Sequence, residues 1–204
     1  MTFLEKQKTV IFIGPQGSGK GTQIERLDRV LREQDPTRRV VDIQTGRRFR
    51  AMAASGEGYT EKHIQETLDT GILQPLFLST VLWGDSMRTH VDPDCHLLID
   101  GFPRIVDEAK VLESAFSFYQ RRSIDIIHLK APEAVVRERM VSRARPDDTV
   151  ESIEERLRWY REETSPVVEY YRARPNTKVH DIDGTVSIDE VHSAILKALD
   201  LPKN

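Results

Sequence analysis

Gly14-Pro15-Gln16-Gly17-Ser18-Gly19-Lys20-Gly21-Thr22 follows the apolar run Thr9-Val10-Ile11-Phe12-Ile13 and opens a helical pattern that starts near Gly19. Strand, glycine loop, lysine and helix in that order make a phosphate cradle. The glycines let backbone N–H groups turn toward an anion with no Cβ in the way. The helix N-terminus adds partial positive charge, and Lys20 can reach the outer phosphates. The spacing matches G-x-x-x-x-G-K, but Gly21 stands where Ser or Thr usually follows the lysine. The hydroxyl arrives one position later, at Thr22. A metal at such a site must then be held by other groups or by water.

Outward from this loop, short apolar runs alternate with amphipathic helical patterns. Strands are expected at Thr9 to Ile13, Arg39 to Asp42, His96 to Asp100, Ile124 to Leu129 and Lys178 to Ile182. They are rich in Val and Ile and lack strict alternation, as strands buried on both faces do. Helices are expected at Lys20 to Gln34, Leu76 to His90, Ile105 to Tyr119, Glu133 to Arg143, Val150 to Glu163, Pro166 to Arg174 and Ser187 to Leu199. That order predicts an α/β fold, a parallel sheet wrapped by helices, with ligands at the carboxyl ends of the strands. The stretch from Thr45 to Gly71 holds helical patterns and no strand. It reads as a small helical insertion spanning about residues 43–73.

A second motif is Leu97-Leu98-Ile99-Asp100-Gly101-Phe102-Pro103-Arg104. An apolar strand ending in Asp beside a phosphate loop suits a carboxylate directed at Mg²⁺. Arg104 follows at the mouth of the same strand, and its planar fork suits a pair of phosphate oxygens.

On these residues the chain resembles the adenylate kinase family of nucleoside monophosphate kinases, along nearly its whole length. Gly14 to Gln23 is similar to that family's phosphate loop, and Asp100-Gly101-Phe102-Pro103-Arg104 to its most specific motif. The resemblance implies a P-loop NTPase-type three-layer sandwich over residues 1–204, with the insertion binding the monophosphate. It implies reversible Mg²⁺-dependent transfer from ATP to AMP, giving two ADP. Gly17, Ser18, Gly19, Lys20, Gly21, Thr22, Arg139 and Val186 would then meet ATP. Thr45, Arg50, Gly101, Arg104, Glu108, Arg145 and Arg156 would meet AMP. Lys20, Arg104, Arg143, Arg145 and Arg156 would act on the transferring group, and Asp100 would hold Mg²⁺ through water. Arg137, Arg47 and Arg48 read instead as solvated surface charge.

Two departures bear on function. Only Ala144 separates Arg143 from Arg145, where the family carries a lid, so residues 143–146 read as its vestige and no structural zinc is expected. The family's base-reading glutamine is Glu108 here. Ionised Glu only accepts hydrogen bonds, which suits guanine's edge better than adenine's. As the alternative, Glu108 merely complements the dipole of its helix. Thr45 points back toward adenine, because pyrimidine-preferring relatives usually carry Ala there. AMP is therefore placed ahead of GMP, with CMP or UMP third. A slow nucleotide-binding regulatory module is the rival of another class; a second arginine-lined acceptor site argues against it.

Composition bounds the rest. A net charge of −3 suggests no nucleic-acid or membrane partner, and small nucleotides remain. Cys95 is the single cysteine, which excludes an internal disulfide and any cysteine-built zinc cluster. Residues 1–6 lack the apolar core of a secretion signal, so the cytoplasm is the expected location. A monomer is expected, with an oligomer as the alternative.

Overall fold

A computed structural model of the chain describes residues 7–143 and 145–202. Residues 1–6 and Ala144, on which the leader and part of the lid reading rest, lie outside the described residues. Five strands, β1 (Thr9–Ile13), β2 (Val40–Gln44), β3 (His96–Asp100), β4 (Ile124–Lys130) and β5 (Thr177–Asp183), pair in parallel in the order β2-β3-β1-β4-β5. The central strands are buried on both faces, as their unbroken apolar runs require. Ile11 and Ile13 of β1, with Leu97 and Ile99 of β3, face one core; Val10, Phe12 and Leu98 face the other. The edge strands depart from this expectation. β5 is mostly half-buried or exposed because, among the described residues, no strand pairs with its outer side.

Helices α1 (Lys20–Gln34) and α9 (Ile188–Ala198) cover one face through Ile24, Leu27, Leu31, Val191 and Ile195. Helices α4 (Leu76–His90), α5 (Val106–Phe118) and α8 (Ser165–Arg172) cover the other through Trp83, Met87, Leu112, Phe116, Val168 and Tyr171. The result is a three-layer α/β sandwich. β1 lies between β3 and β4, so the chain order reverses beside it and a crevice opens at its carboxyl end.

Between β2 and α4 the chain forms α2 (Thr45–Ser55) and α3 (Tyr59–Thr70). They share a small core of their own, Phe49, Ala53 and Ile64, backed by Leu78 and Leu82 of α4. Two polar contacts tie the end of α3 to α7 (Val150–Trp159): Arg156 donates to the Leu68 carbonyl at 3.1 Å and Trp159 Nε1 to the Gly71 carbonyl at 2.9 Å. Gly71 has φ 75°, and a Cβ there would lie 2.5 Å from the Ser152 carbonyl oxygen.

The pattern predicts two helices across residues 150–174, but the chain does not break. α7, opened by a Thr149–Ser152 capping box, runs through a π turn (Tyr160–Thr164) directly into α8. Pro166 has no N–H, and its ring opposes the carbonyl four residues back. The wider turn, closed by the Ser165 N–H on the Tyr160 carbonyl, relieves that clash and lets the helix continue. α6 (Glu133–Arg143) packs Val136 and Met140 on Ile153 and Leu157 of α7.

Candidate active site

The glycine loop lies in the crevice beyond β1. Gly17 has φ 84°, and a Cβ on it would stand 2.7 Å from the Val136 carbonyl oxygen of α6, so glycine is required there. Lys20 folds back on its own loop, with Nζ donating to the carbonyls of Gly14 (2.8 Å) and Pro15 (2.9 Å). Burial pulls the Lys20 ammonium down to about 8; Arg104, Arg143 and Arg145 push the same way, and Asp100 opposes them.

Strand register brings the second motif alongside. Asp100 stands opposite Phe12 of β1 and Gln44 of β2, so all three strand ends reach the same rim. The turn after Asp100 is braced from both sides. Thr45 Oγ1 donates to the Gly101 carbonyl at 2.9 Å, and Arg104 Nε to the same oxygen at 2.7 Å. The Arg104 guanidinium lies 5.4 Å from the Trp159 ring centre, and Thr164 Oγ1 donates to the Arg104 carbonyl at 2.8 Å. Burial, reinforced by Arg156, lowers the Arg104 pKa, against Glu108 and Asp100.

The remaining arginines come from α2, α6, α7 and the link between α6 and α7. Arg143 binds Asp148 through two nitrogens, at 2.6 and 2.9 Å. Arg156 binds Asp148 at 2.7 Å and Asp147 at 2.8 Å. Burial raises the Asp148 carboxyl, but the Arg143 hydrogen bond and the nearby arginine charges outweigh it and leave it below the usual range. Arg139 donates to the Gly184 carbonyl at 2.7 Å, which ties α6 to the loop after β5. Arg50 and Arg145 both lie below the ordinary guanidinium range, through burial first and then the charge of a neighbouring arginine, Arg145 for Arg50 and Arg143 for Arg145. That repulsion leaves the cleft poised for an anion.

One cleft brings together Gly17, Gly19, Lys20, Gly21, Thr22, Arg50, Asp100, Gly101, Arg104, Arg139, Arg143 and Arg145. Five expected residues stand off its surface. Ser18 is buried beneath the loop. Thr45 is buried on Gly101. Val186 is surface-exposed, and Arg156 is buried in its pair with the two aspartates. Glu108 is buried, with Oε1 accepting from Ser79 Oγ (2.6 Å) and Trp83 Nε1 (3.1 Å), and Oε2 from the Arg104 N–H (2.7 Å). It borders a small separate cavity with Phe49, Leu73 and Gln74.

Of the arginines read as surface charge, Arg137 pairs with Glu154, and Arg48 hydrogen-bonds the Leu82 carbonyl and Ser86. Arg47 corrects that reading in part. It is largely exposed, yet it reaches the cleft rim and pairs with Glu25 of α1 at 2.9 Å. Trp159, Thr164 and Glu25 also line the cleft and carry no motif signal. A Trp in an amphipathic helix reads as core, and Pro166, beside which the π turn forms, reads equally as a helix break.

Among the described residues no three His, Cys, Asp or Glu side chains gather to cage a cation. One carboxylate, Asp100, with the Thr22 hydroxyl on the same wall, is what Mg²⁺ accepts when phosphate oxygens and water complete its shell. The donor set therefore fits Mg²⁺ carried in with a nucleotide.

The family model described as "Adenylate kinase" matches residues 12–176, which include both the loop and the Asp100–Arg104 turn. The chain belongs to the adenylate kinase family. Curated relatives agree along their length. An adenylate kinase of Corynebacterium urealyticum is 36% identical over 196 residues, covering 94% of this chain and 98% of that one. Those of Mycobacterium tuberculosis and Mycolicibacterium vanbaalenii are 35% and 33% identical, each over 93% of this chain and 98% of the relative. No helix among the described residues is long and apolar enough to cross a membrane.

Proposed function

We propose that this cleft transfers the terminal phosphoryl group of ATP to AMP, reversibly, giving two ADP. The observation that carries the reading is convergence. Lys20, Arg50, Arg104, Arg139, Arg143 and Arg145 come from separate segments and line one cleft beside a glycine loop and one carboxylate. A single nucleotide needs fewer cations. Two phosphorylated substrates meeting end to end need cations along the whole path of the phosphates.

Phosphoryl transfer asks for alignment, charge neutralisation and dryness rather than covalent help. The loop amides and Lys20 grip the donor once Lys20 leaves the Gly14 and Pro15 carbonyls. Arg50 and Arg104 grip the acceptor phosphate. Arg143 and Arg145 face the group in transit, and Arg139 supports the donor's base through its bond to Gly184. Asp100, through water, would hold Mg²⁺, which supplies charge neutralisation on the phosphates when bound. Arg156 serves by fixing Asp148, which in turn orients Arg143. The helical insertion closes the acceptor side, and the one-residue link at Ala144 leaves no flap over the donor.

The test is an acceptor panel of AMP, GMP, CMP, UMP and dAMP with MgATP, followed for nucleoside diphosphate. AMP is the expected preferred acceptor. A preferred GMP or pyrimidine nucleotide would reassign the substrate, and slow turnover with every acceptor would favour the regulatory module.

A further inference from the structure

Trp159 joins the phosphate site to the end of the insertion. Its ring lies under the Arg104 guanidinium, 5.4 Å from centroid to carbon, and its Nε1–H reaches the Gly71 carbonyl at 2.9 Å. It is 7% exposed and lines the cleft. Gly71 caps α3 with φ 75°, at the point where the insertion returns to the body of the protein. One side chain therefore touches both the arginine and the insertion's end.

The π turn makes this possible. Thr164 also lines the cleft, and its hydroxyl holds the Arg104 carbonyl at 2.8 Å. In a regular α-helix, residues five apart point about 140° away from each other. The extra residue per turn across Tyr160–Thr164 rotates Thr164 back toward the side that Trp159 occupies. Arg104 is thus held by its side chain from Trp159 and by its backbone from Thr164, both on one helix.

We propose that Trp159 and Thr164 are positioning residues for Arg104, and that Trp159 couples the setting of Arg104 to the position of the insertion. This rests on the reading that Arg104 grips the acceptor phosphate. Because the ring faces Arg104 and not the glycine loop, the variants should change acceptor use and turnover while donor affinity holds. Because the N–H reaches Gly71, loss of the N–H alone should loosen the insertion without removing the ring from Arg104.

The experiment is a double-mutant cycle read by steady-state kinetics. Trp159→Leu should lower kcat and raise the AMP KM, together costing about tenfold in kcat/KM for AMP, with the ATP KM held within about twofold. Trp159→Phe, which keeps a ring without the N–H, should recover most of kcat and retain the raised AMP KM. Thr164→Val should lower kcat in the same direction. In an Arg104→Ala background, Trp159→Leu and Thr164→Val should cost little further, because the residue they act through is gone. Losses that multiply fully in that background, or an ATP KM that rises as much as the AMP KM, would overturn the proposal. Should Trp159→Leu not fold, the Trp159→Phe and Thr164→Val cycles decide it alone. Arg104→Ala with near-normal activity would instead strike the underlying reading of Arg104, a separate result from any failure of the cycle.

Discussion

Arg104 donates its backbone N–H to Glu108 Oε2 at 2.7 Å, so the carboxylate expected at a nucleobase is built into the turn that presents the phosphate-site arginine. Its other oxygen is taken by Ser79 and Trp83. Three donors on one buried carboxylate make a bracket that a neutral amide cannot reproduce, because an amide nitrogen would face a donor.

Glu108→Gln is therefore expected to destabilise the protein by about 1–3 kcal/mol, the cost of an orphaned buried group, and to lower kcat as the Arg104 turn loosens. The AMP/GMP preference should stay within about twofold of the parent enzyme; one pKa-independent readout is the ratio of kcat/KM values for the two acceptors. A gain of tenfold or more for AMP at unchanged unfolding midpoint would return Glu108 to the base.

Lys20 carries the pH dependence of the free enzyme. Its ammonium sits near 8 in the folded protein, below the ordinary lysine value of about 10.4. The proton that grips phosphate is thus lost early, and kcat/KM for ATP should fall as pH rises through about 8. Bound phosphate raises that value, so the limb should move to higher pH in kcat. A pH profile flat to pH 10 in both would contradict this.

The same depressed value has a stability sign. Below about 8 both states hold the proton and the fold bears the full cost of burying it. Between there and the unfolded value the unfolded chain binds more protons, so stability rises with pH. Lys20→Met should accordingly raise the unfolding midpoint at pH 7 while lowering kcat by about 10²–10³, as loss of one preorganised donor does. A variant that is both less stable and fully active would contradict both halves.

Asp148 joins Arg143 to Arg156 with its side chain fully buried. Asp148→Asn should cost about 3 kcal/mol, since it leaves Arg143 without its charge partner and Arg156 with Asp147 alone. The carboxyl ionises below its usual range in the fold, so its contribution is complete above the unfolded value of about 4 and disappears as pH falls through the folded one. Urea midpoints at pH 7 and pH 3 should therefore lie closer together in the variant than in the parent. An equal spacing would remove Asp148 from the acid response.

The two ends of the cleft should move unequally. Ala144 alone links Arg143 to Arg145, and the Asp148 bracket ties Arg143 to α7, so residues 140–150 have little to swing. α3 has a glycine at each end and is tied to α7 by the Arg156 and Trp159 hydrogen bonds. Distances between paired probes should change mainly at α3, on AMP or a bisubstrate analogue and little on ATP alone. A large shift of residues 140–150 on ATP would contradict this.

Legibility followed how local each feature is. β1 and β3 match their expected bounds because an apolar run ends in a glycine or in Asp-Gly. Lys20 is legible because it lies within the glycine loop, and Asp100 and Arg104 because both belong to one short motif. Glu108 was misleading because its partners, Ser79 and Trp83, are 29 and 25 residues away. Arg156 resembles a phosphate ligand by spacing, but its burial against Asp147 and Asp148 is tertiary. Trp159 and Thr164 were not legible because Pro166 reads as a break between two helices, whereas the chain passes through a π turn that sets Thr164 beside Trp159. β5 looked buried because its composition does not reveal that it lies at the sheet's edge.

The most direct test of the account is a stoichiometric one. Purified protein is mixed with MgATP and AMP in equal amounts, and nucleotides and inorganic phosphate are resolved over time. The account predicts that ATP and AMP fall together and two ADP appear for each AMP consumed. It also predicts that mixing ADP and Mg²⁺ alone regenerates ATP and AMP, and that Arg104→Ala slows both directions in parallel. ATP falling to ADP and inorganic phosphate with AMP untouched, or no turnover in either direction from folded protein, would contradict it.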